Sequence, residues 1–170
     1  MQSLHPPLIL FGFPGSGKST LAKRLAEHLG IPCFDTDALV EALHGTALCC
    51  RDIAQIYGVQ LFRTLEKQII LSLKNRSPSI IAVGGGALLD QENLIHLQNL
   101  GTLLFLDVDR LTLENRWRIK GLPSFVKNPE HFYEERLSHY LSIANYKIRV
   151  AHQPIEDIMT EISNVWGFHG

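Results

Sequence analysis

The segment FGFPGSGKST, residues 11–20, joins an apolar run, LILFGF at 8–13, to an amphipathic stretch, STLAKRLAEHLG, and few folds accommodate that junction. Gly12, Gly17, Lys18 and Ser19 fit GxxxxGK[ST], the phosphate-loop pattern, in the strand-to-helix context it requires. Glycines let the backbone curl with its N–H groups turned inward around phosphate oxygens, and the following helix N-terminus adds a favourable dipole. Gly15, Ser16, Gly17, Lys18, Ser19 and Thr20 are therefore the expected nucleotide-binding residues. Lys18 is expected to neutralise β/γ-phosphate charge, and Ser19 to ligate Mg²⁺ arriving with ATP. The motif leaves the acceptor open, because switches, motors and small-molecule kinases all use it.

The rest of the chain continues the alternation. IPCF at 31–34, IIAVGGG at 80–86 and TLLFLDV at 102–108 are short apolar runs, as expected for strands covered on both faces, and KIRV at 147–150 is a weaker fifth. Between them, Leu21, Leu25 and Leu29, and Leu65, Ile69 and Leu73, recur at helical intervals, and Gly30 with Pro32 closes the first helix. The pattern predicts a doubly wound α/β sandwich, whose ligands bind beyond the carboxyl ends of its strands. With 170 residues and no linker or repeat, one domain is expected. KGLPSFVKNPEH, residues 120–131, reads as a long loop and a candidate lid.

Composition narrows the partners. Sixteen basic against 17 acidic side chains leave a formal charge of -1, so no global basic surface calls for nucleic acid or an acidic membrane. Three cysteines, two adjacent, suit neither a disulfide framework nor CxxC metal spacing, and read as reduced thiols packed in the fold. The eight histidines lack metal-site spacing. Without a bilayer-length apolar run or signal-peptide pattern, a cytoplasmic chain is expected, with small size favouring a monomer.

Four features bear on the acceptor. FDTD puts Asp35 and Asp37 two apart, on one side of an extended chain; one carboxylate can act on a metal or its waters and the other as a base, or the pair can be a strand-end turn and helix N-cap. Arg63 and Glu66 share a helix face, as a surface ion pair or as part of a site. Gly84, Gly85 and Gly86 end the strongest strand candidate, where exposed N–H groups allow an anion close approach. Arg136 stands four residues before Tyr140 on a helical stretch and, taken alone, reads as solvated.

Taken together and in this order, the phosphate loop, DxD, FRxxE, GGG and the arginine four before a tyrosine resemble the shikimate kinase family over nearly the whole chain. The resemblance implies a P-loop kinase fold: a three-layer α/β/α sandwich, a five-stranded parallel sheet in the order 2-3-1-4-5, a substrate-binding helical region over about 37–66 and a mobile lid over about 118–131. It implies that Asp37 holds the shikimate hydroxyls and helps activate the attacking one, that Asp35 lies near Mg²⁺, and that Arg63 and Arg136 grip the carboxylate. Gly85 then offers an N–H between Gly84 and Gly86, and Glu66 orients Arg63. Arg116 matches an arginine that packs on adenine, Trp117 packs at the lid base, and 152–154 fall near the adenine loop. The family's lid arginine precedes a PLL-like segment; here the region reads RWRIKGLPSF, and Lys120 or Arg118 stands in its place. The implied reaction is Mg²⁺-dependent phosphoryl transfer from ATP to the 3-hydroxyl of shikimate. A related kinase such as a gluconate kinase, or a homologue that binds without transfer, is the alternative.

Overall fold

A computed structural model of the chain describes residues 5–74, 76–123, 126–150 and 152–168. Its centre is a parallel sheet of five strands, β1 (Leu8–Gly12), β2 (Cys33–Asp35), β3 (Ile80–Gly84), β4 (Thr102–Val108) and β5 (Tyr146–Val150), in the order β2-β3-β1-β4-β5. The expected strand order is met. β1 registers with β3 from Leu8↔Ile80 to Gly12↔Gly84, and on its other side with β4 from Leu8↔Thr102. Because the chain leaves β1 toward β2 and β3 and then crosses to β4, a crevice opens where the direction of winding reverses, at the carboxyl ends of the strands.

Strand side chains alternate between faces, and both faces are buried, which is why these runs are continuously apolar. Ile9, Phe11, Ile81, Val83, Leu103 and Phe105 face one core, closed by helices α5 (Gln91–Leu100), α6 (Arg110–Lys120) and α7 (Pro129–Ile143). Leu8, Leu10, Ile80, Ala82, Leu104 and Leu106 face the other, closed by α1 (Lys18–Leu29) and α8 (Ile155–Trp166). These are the three layers.

The polar-apolar stretch between β2 and β3 folds as three helices: α2 (Thr36–His44), α3 (Cys50–Tyr57) and α4 (Val59–Ser72). They share a small core of their own, Val40, Ile53, Ala54 and Phe62. On α4 the fully buried row is Phe62, Glu66 and Ile70, one residue beyond the expected Leu65–Ile69–Leu73 row, which packs only partly buried. The shift carries Glu66 inward. Gly30 closes α1 in the left-handed conformation, its N–H reaching the Ala26 and Glu27 carbonyls.

The expected long loop is shorter than its sequence suggests. Lys120 is the last residue of α6 and Pro129 the first of α7, because Asn128 caps α7 by accepting from the His131 N–H. Only 121–128 connect them, and Ser124 and Phe125 of the lid segment lie outside the described residues. Among the described residues no helix is long and apolar enough to cross a membrane.

Candidate active site

The phosphate loop runs from Gly12 at the end of β1 to the first turn of α1. Phe13 anchors its start: the ring is fully buried, stacks on Tyr133 at 4.8 Å and meets Tyr140 edge-on at 5.1 Å. Gly15 and Gly17 have φ of 75° and 88°, which an L side chain rarely adopts, so the curl of the loop requires glycine there. α6 holds the loop from above, with Arg116 Nη1 donating to the Gly15 carbonyl and Trp117 Nε1 to that of Pro14, both at 2.7 Å. Ser16 is buried and its hydroxyl has no partner among the described residues, an acceptor or donor left for a ligand.

Two clefts meet at this loop. One, of about 580 Å³, is lined by residues 15–21, Arg116, Lys120, Gln153 and the apolar Val150, Ile155 and Ile158. The other, of about 280 Å³, has the size of a small-molecule pocket and lies between the loop, the α2–α4 helices and α7. Lys18 and Lys120 line both. Arg118, the other lid candidate, lines neither cleft but a separate hollow with Glu114, Trp117 and Leu122.

The smaller cleft gathers Asp37, Arg63, Glu66, Gly84, Gly85, Gly86 and Arg136. These come from α2, α4, the end of β3 and α7, so the fold assembles what the sequence separates. Asp35 and Asp37 do not share one side of an extended chain as expected: Asp35 is the N-cap of α2, its Oδ1 accepting from the Asp37 and Ala38 N–H groups at 2.9 and 3.4 Å. Asp37 already belongs to the helix, because the cap turns the backbone between them. Its carboxyl sits at the cleft floor, where burial pushes its pKa up; Lys18 pulls it down, while Asp35 and Glu41 push it further up.

Glu66 is 2 % exposed and receives a hydrogen bond from Arg63 Nη1 at 2.6 Å. Burial raises its pKa and Arg63 opposes the rise. This is an oriented pair with a buried carboxylate and a partly exposed guanidinium, rather than a surface ion pair. Arg136, half-buried rather than solvated, lies over the Phe132 ring at 5.1 Å beside the Tyr140 phenol, whose pKa burial raises.

Of the three glycines, Gly85 is the one that space requires, since none of the three has a positive φ and only Gly85 meets backbone. They end β3 and open a short 3-10 helix, Gly85–Leu89. A Cβ on Gly85 would collide with the Tyr140 hydroxyl and the Gly12 carbonyl, and one on Gly86 would come within 2.5 Å of the Arg63 guanidinium. The expectation of three cysteines packed inside is corrected in part. Cys33 and Cys49 are exposed; Cys50 is half-buried, lines the smaller cleft and directs Sγ at the Asp37 carbonyl, with burial and the carboxylates of Asp37 and Glu41 holding the thiol protonated. Tyr140 served in the sequence only as a spacing marker, and Arg51, which also borders this cleft, carried no local signal at all.

A phosphate loop at the central strand of a 2-3-1-4-5 sheet, beside a second cleft that offers carboxylates and guanidinium groups, defines a small-molecule kinase of the P-loop class. Comparison with known proteins is specific. The shikimate kinase family model matches residues 14–166. A shikimate kinase of Caldanaerobacter subterraneus subsp. tengcongensis is 31% identical over 160 residues, 91% of this chain and 92% of that protein. Among solved structures, shikimate kinase from Acinetobacter baumannii in complex with shikimate is 30% identical with a TM-score of 0.79, over 94% of this chain and 92% of that one. The Aquifex aeolicus enzyme is 28% identical with a TM-score of 0.76, over 95% and 96%. The chain belongs to the shikimate kinase family.

Proposed function

We propose that this chain transfers the γ-phosphoryl group of ATP to the 3-hydroxyl of shikimate, giving shikimate 3-phosphate and ADP. The observation that carries the reading is that Lys18 and Lys120 border both clefts, so a phosphoryl group passing between them stays against positive charge throughout. In the smaller cleft five cationic side chains, Lys18, Arg51, Arg63, Lys120 and Arg136, face two carboxylates, Asp37 and Glu66. That surplus suits an acceptor with a carboxylate that must also receive a phosphoryl group.

In this reading the main-chain N–H groups of residues 15–20 hold the β- and γ-phosphates, and Arg116 borders the adenine end. Arg63 and Arg136 grip the acceptor carboxylate with planar forks, Glu66 and Tyr140 fixing their orientation, while the Gly84–Gly86 backbone lies close against the acceptor. Asp37 accepts the proton of the attacking hydroxyl, and its raised pKa brings its basicity nearer that of the task. Lys120, rather than Arg118, meets the transferring phosphoryl from the end of α6. Positioning and charge neutralisation carry the rate, without a covalent intermediate.

Ser19 and Asp35 border one groove, which shares Ser19 and Thr20 with the larger cleft, and Asp35 uses only Oδ1 in capping α2. That donor set fits Mg²⁺, which keeps several waters and substrate phosphates rather than a full protein cage. Among the described residues no cluster of three His, Cys, Asp or Glu stands ready to hold an ion. When bound, Mg²⁺ would neutralise charge between the β- and γ-phosphates. The chain is read as one domain and a cytoplasmic monomer, with ATP and shikimate as partners and neither nucleic acid nor membrane.

The test is ADP release with Mg-ATP and shikimate, quinate or gluconate in parallel, with the product identified by phosphorus NMR. Shikimate 3-phosphate is expected, and Lys18→Ala is expected to lose at least about 10²-fold in kcat with an unchanged circular dichroism spectrum. Faster turnover of gluconate would replace the acceptor. Binding of ATP and shikimate without product would reduce the chain to a ligand-binding homologue.

A further inference from the structure

Arg51 stands in the first turn of α3, where Cys50 donates its N–H to Glu41 Oε1 at 2.9 Å and Ile53 is fully buried, so its backbone is well held. Its side chain borders the smaller cleft. Nη1 donates to the main-chain carbonyl of Lys120 at 2.5 Å, over a sequence separation of 69 residues. Lys120 ends α6, and its carbonyl is one of the four at a helix C-terminus that have no partner within the helix. A cation there is also favoured by the helix dipole. The chain then turns at Gly121, with φ of 79° and ψ of 157°, and a Cβ at that position would stand 2.6 Å from Arg51 Nη1. Glycine thus permits the turn and leaves room for the guanidinium.

The partner atom matters. Because Arg51 holds the main chain, the Lys120 ammonium stays free to reach a phosphate. Lysine is a point charge on a four-carbon stem with large rotamer freedom, so it needs a fixed base more than a planar arginine fork does. Arg51, Lys120 and Gly121 all border the acceptor cleft, which makes the bond a tie between the acceptor-side helices and the end of α6.

We propose that Arg51 is a positioning residue that sets the height of Lys120 over the transferring phosphoryl group by clamping its carbonyl. The proposal rests on the phosphoryl-contacting role given to Lys120 above. Arg51→Ala, Lys120→Ala and the double variant form a thermodynamic cycle, and Arg51→Lys serves as the conservative variant. Arg51→Ala is expected to lower kcat about tenfold with KM for shikimate and ATP nearly unchanged, because an interaction that matters only in the transition state is lost. It should cost nothing further in the Lys120→Ala background, and Arg51→Lys should recover part of the loss. Amide exchange over 118–123, measured with Mg-ADP bound, is expected to speed up in Arg51→Ala while exchange in α3 stays as in the parent protein.

Losses that multiply in the double variant would overturn the proposal, since Arg51 would then act independently of Lys120. A raised KM for shikimate at unchanged kcat would also overturn it and make Arg51 a direct acceptor ligand. Unaltered exchange would show that no tie exists. A parent protein that fails to phosphorylate shikimate sinks the functional reading alone; faster exchange in Arg51→Ala would still support the tie.

Discussion

Asp37, the base of the proposed reaction, illustrates the cost of burying a carboxylate. Burial raises its pKa above the ordinary 3.8, so the native state binds this proton more tightly than the unfolded chain does. Stability from this group is complete below the unfolded pKa and falls as pH rises through the folded one, leaving a penalty at neutral pH. Asp37→Asn carries no such charge. It is expected to be more stable than the parent at pH 7, with the difference vanishing below about pH 4, in urea denaturation across pH. The same change should abolish turnover, whose acid limb in the parent follows protonation of Asp37 as pH falls. A stability difference independent of pH would assign the effect to packing instead.

At the scale of elements, the proposed function gives the α2 N-cap a second duty. Asp35 caps the helix with Oδ1, and in the proposed reaction its charge also serves Mg²⁺. Asparagine caps about as well as aspartate but brings no charge. Asp35→Asn is therefore expected to keep thermal stability within about 0.5 kcal/mol while raising the Mg²⁺ needed for half-maximal activity several-fold; Asp35→Ala should lose about 1 kcal/mol as well. The sequence made this junction only partly legible. FDTD marked a strand end and a carboxylate pair, but whether a chain stays extended or turns between two residues is a dihedral choice that a two-residue spacing does not encode. The α6–α7 connection shows the same limit. Gly121, Pro123 and Pro129 read as one long loop, whereas Pro129 sits at the first position of a helix, which proline tolerates.

For the whole molecule, the two sheet-spanning cores bury most of the large side chains, while the acceptor-side helices rest on four. Ligands that bridge the clefts bind the native state alone and stabilise it by mass action. Mg-ADP at one hundred times its dissociation constant is expected to add about 2.7 kcal/mol to unfolding, read as a raised Tm, and Lys18→Ala should show almost none of this at the same concentration. An undiminished shift in that variant would remove Lys18 from the phosphate site.

The sequence by itself determined the local devices: continuous apolar strands, the glycine-rich turn into α1, and the three-residue spacing that pairs Arg63 with Glu66. Each follows from backbone dihedrals and side-chain period over a few residues. The tertiary structure decided what touches across distance. Arg116 and Trp117 hold the phosphate loop from 101 and 103 residues away, Tyr140 fills the space that Gly85 leaves, and Arg51 reaches the carbonyl of Lys120. Those meetings depend on packing and on the crossing of the chain over β1, where no local period carries information, and through them the phosphate loop gains a second cleft.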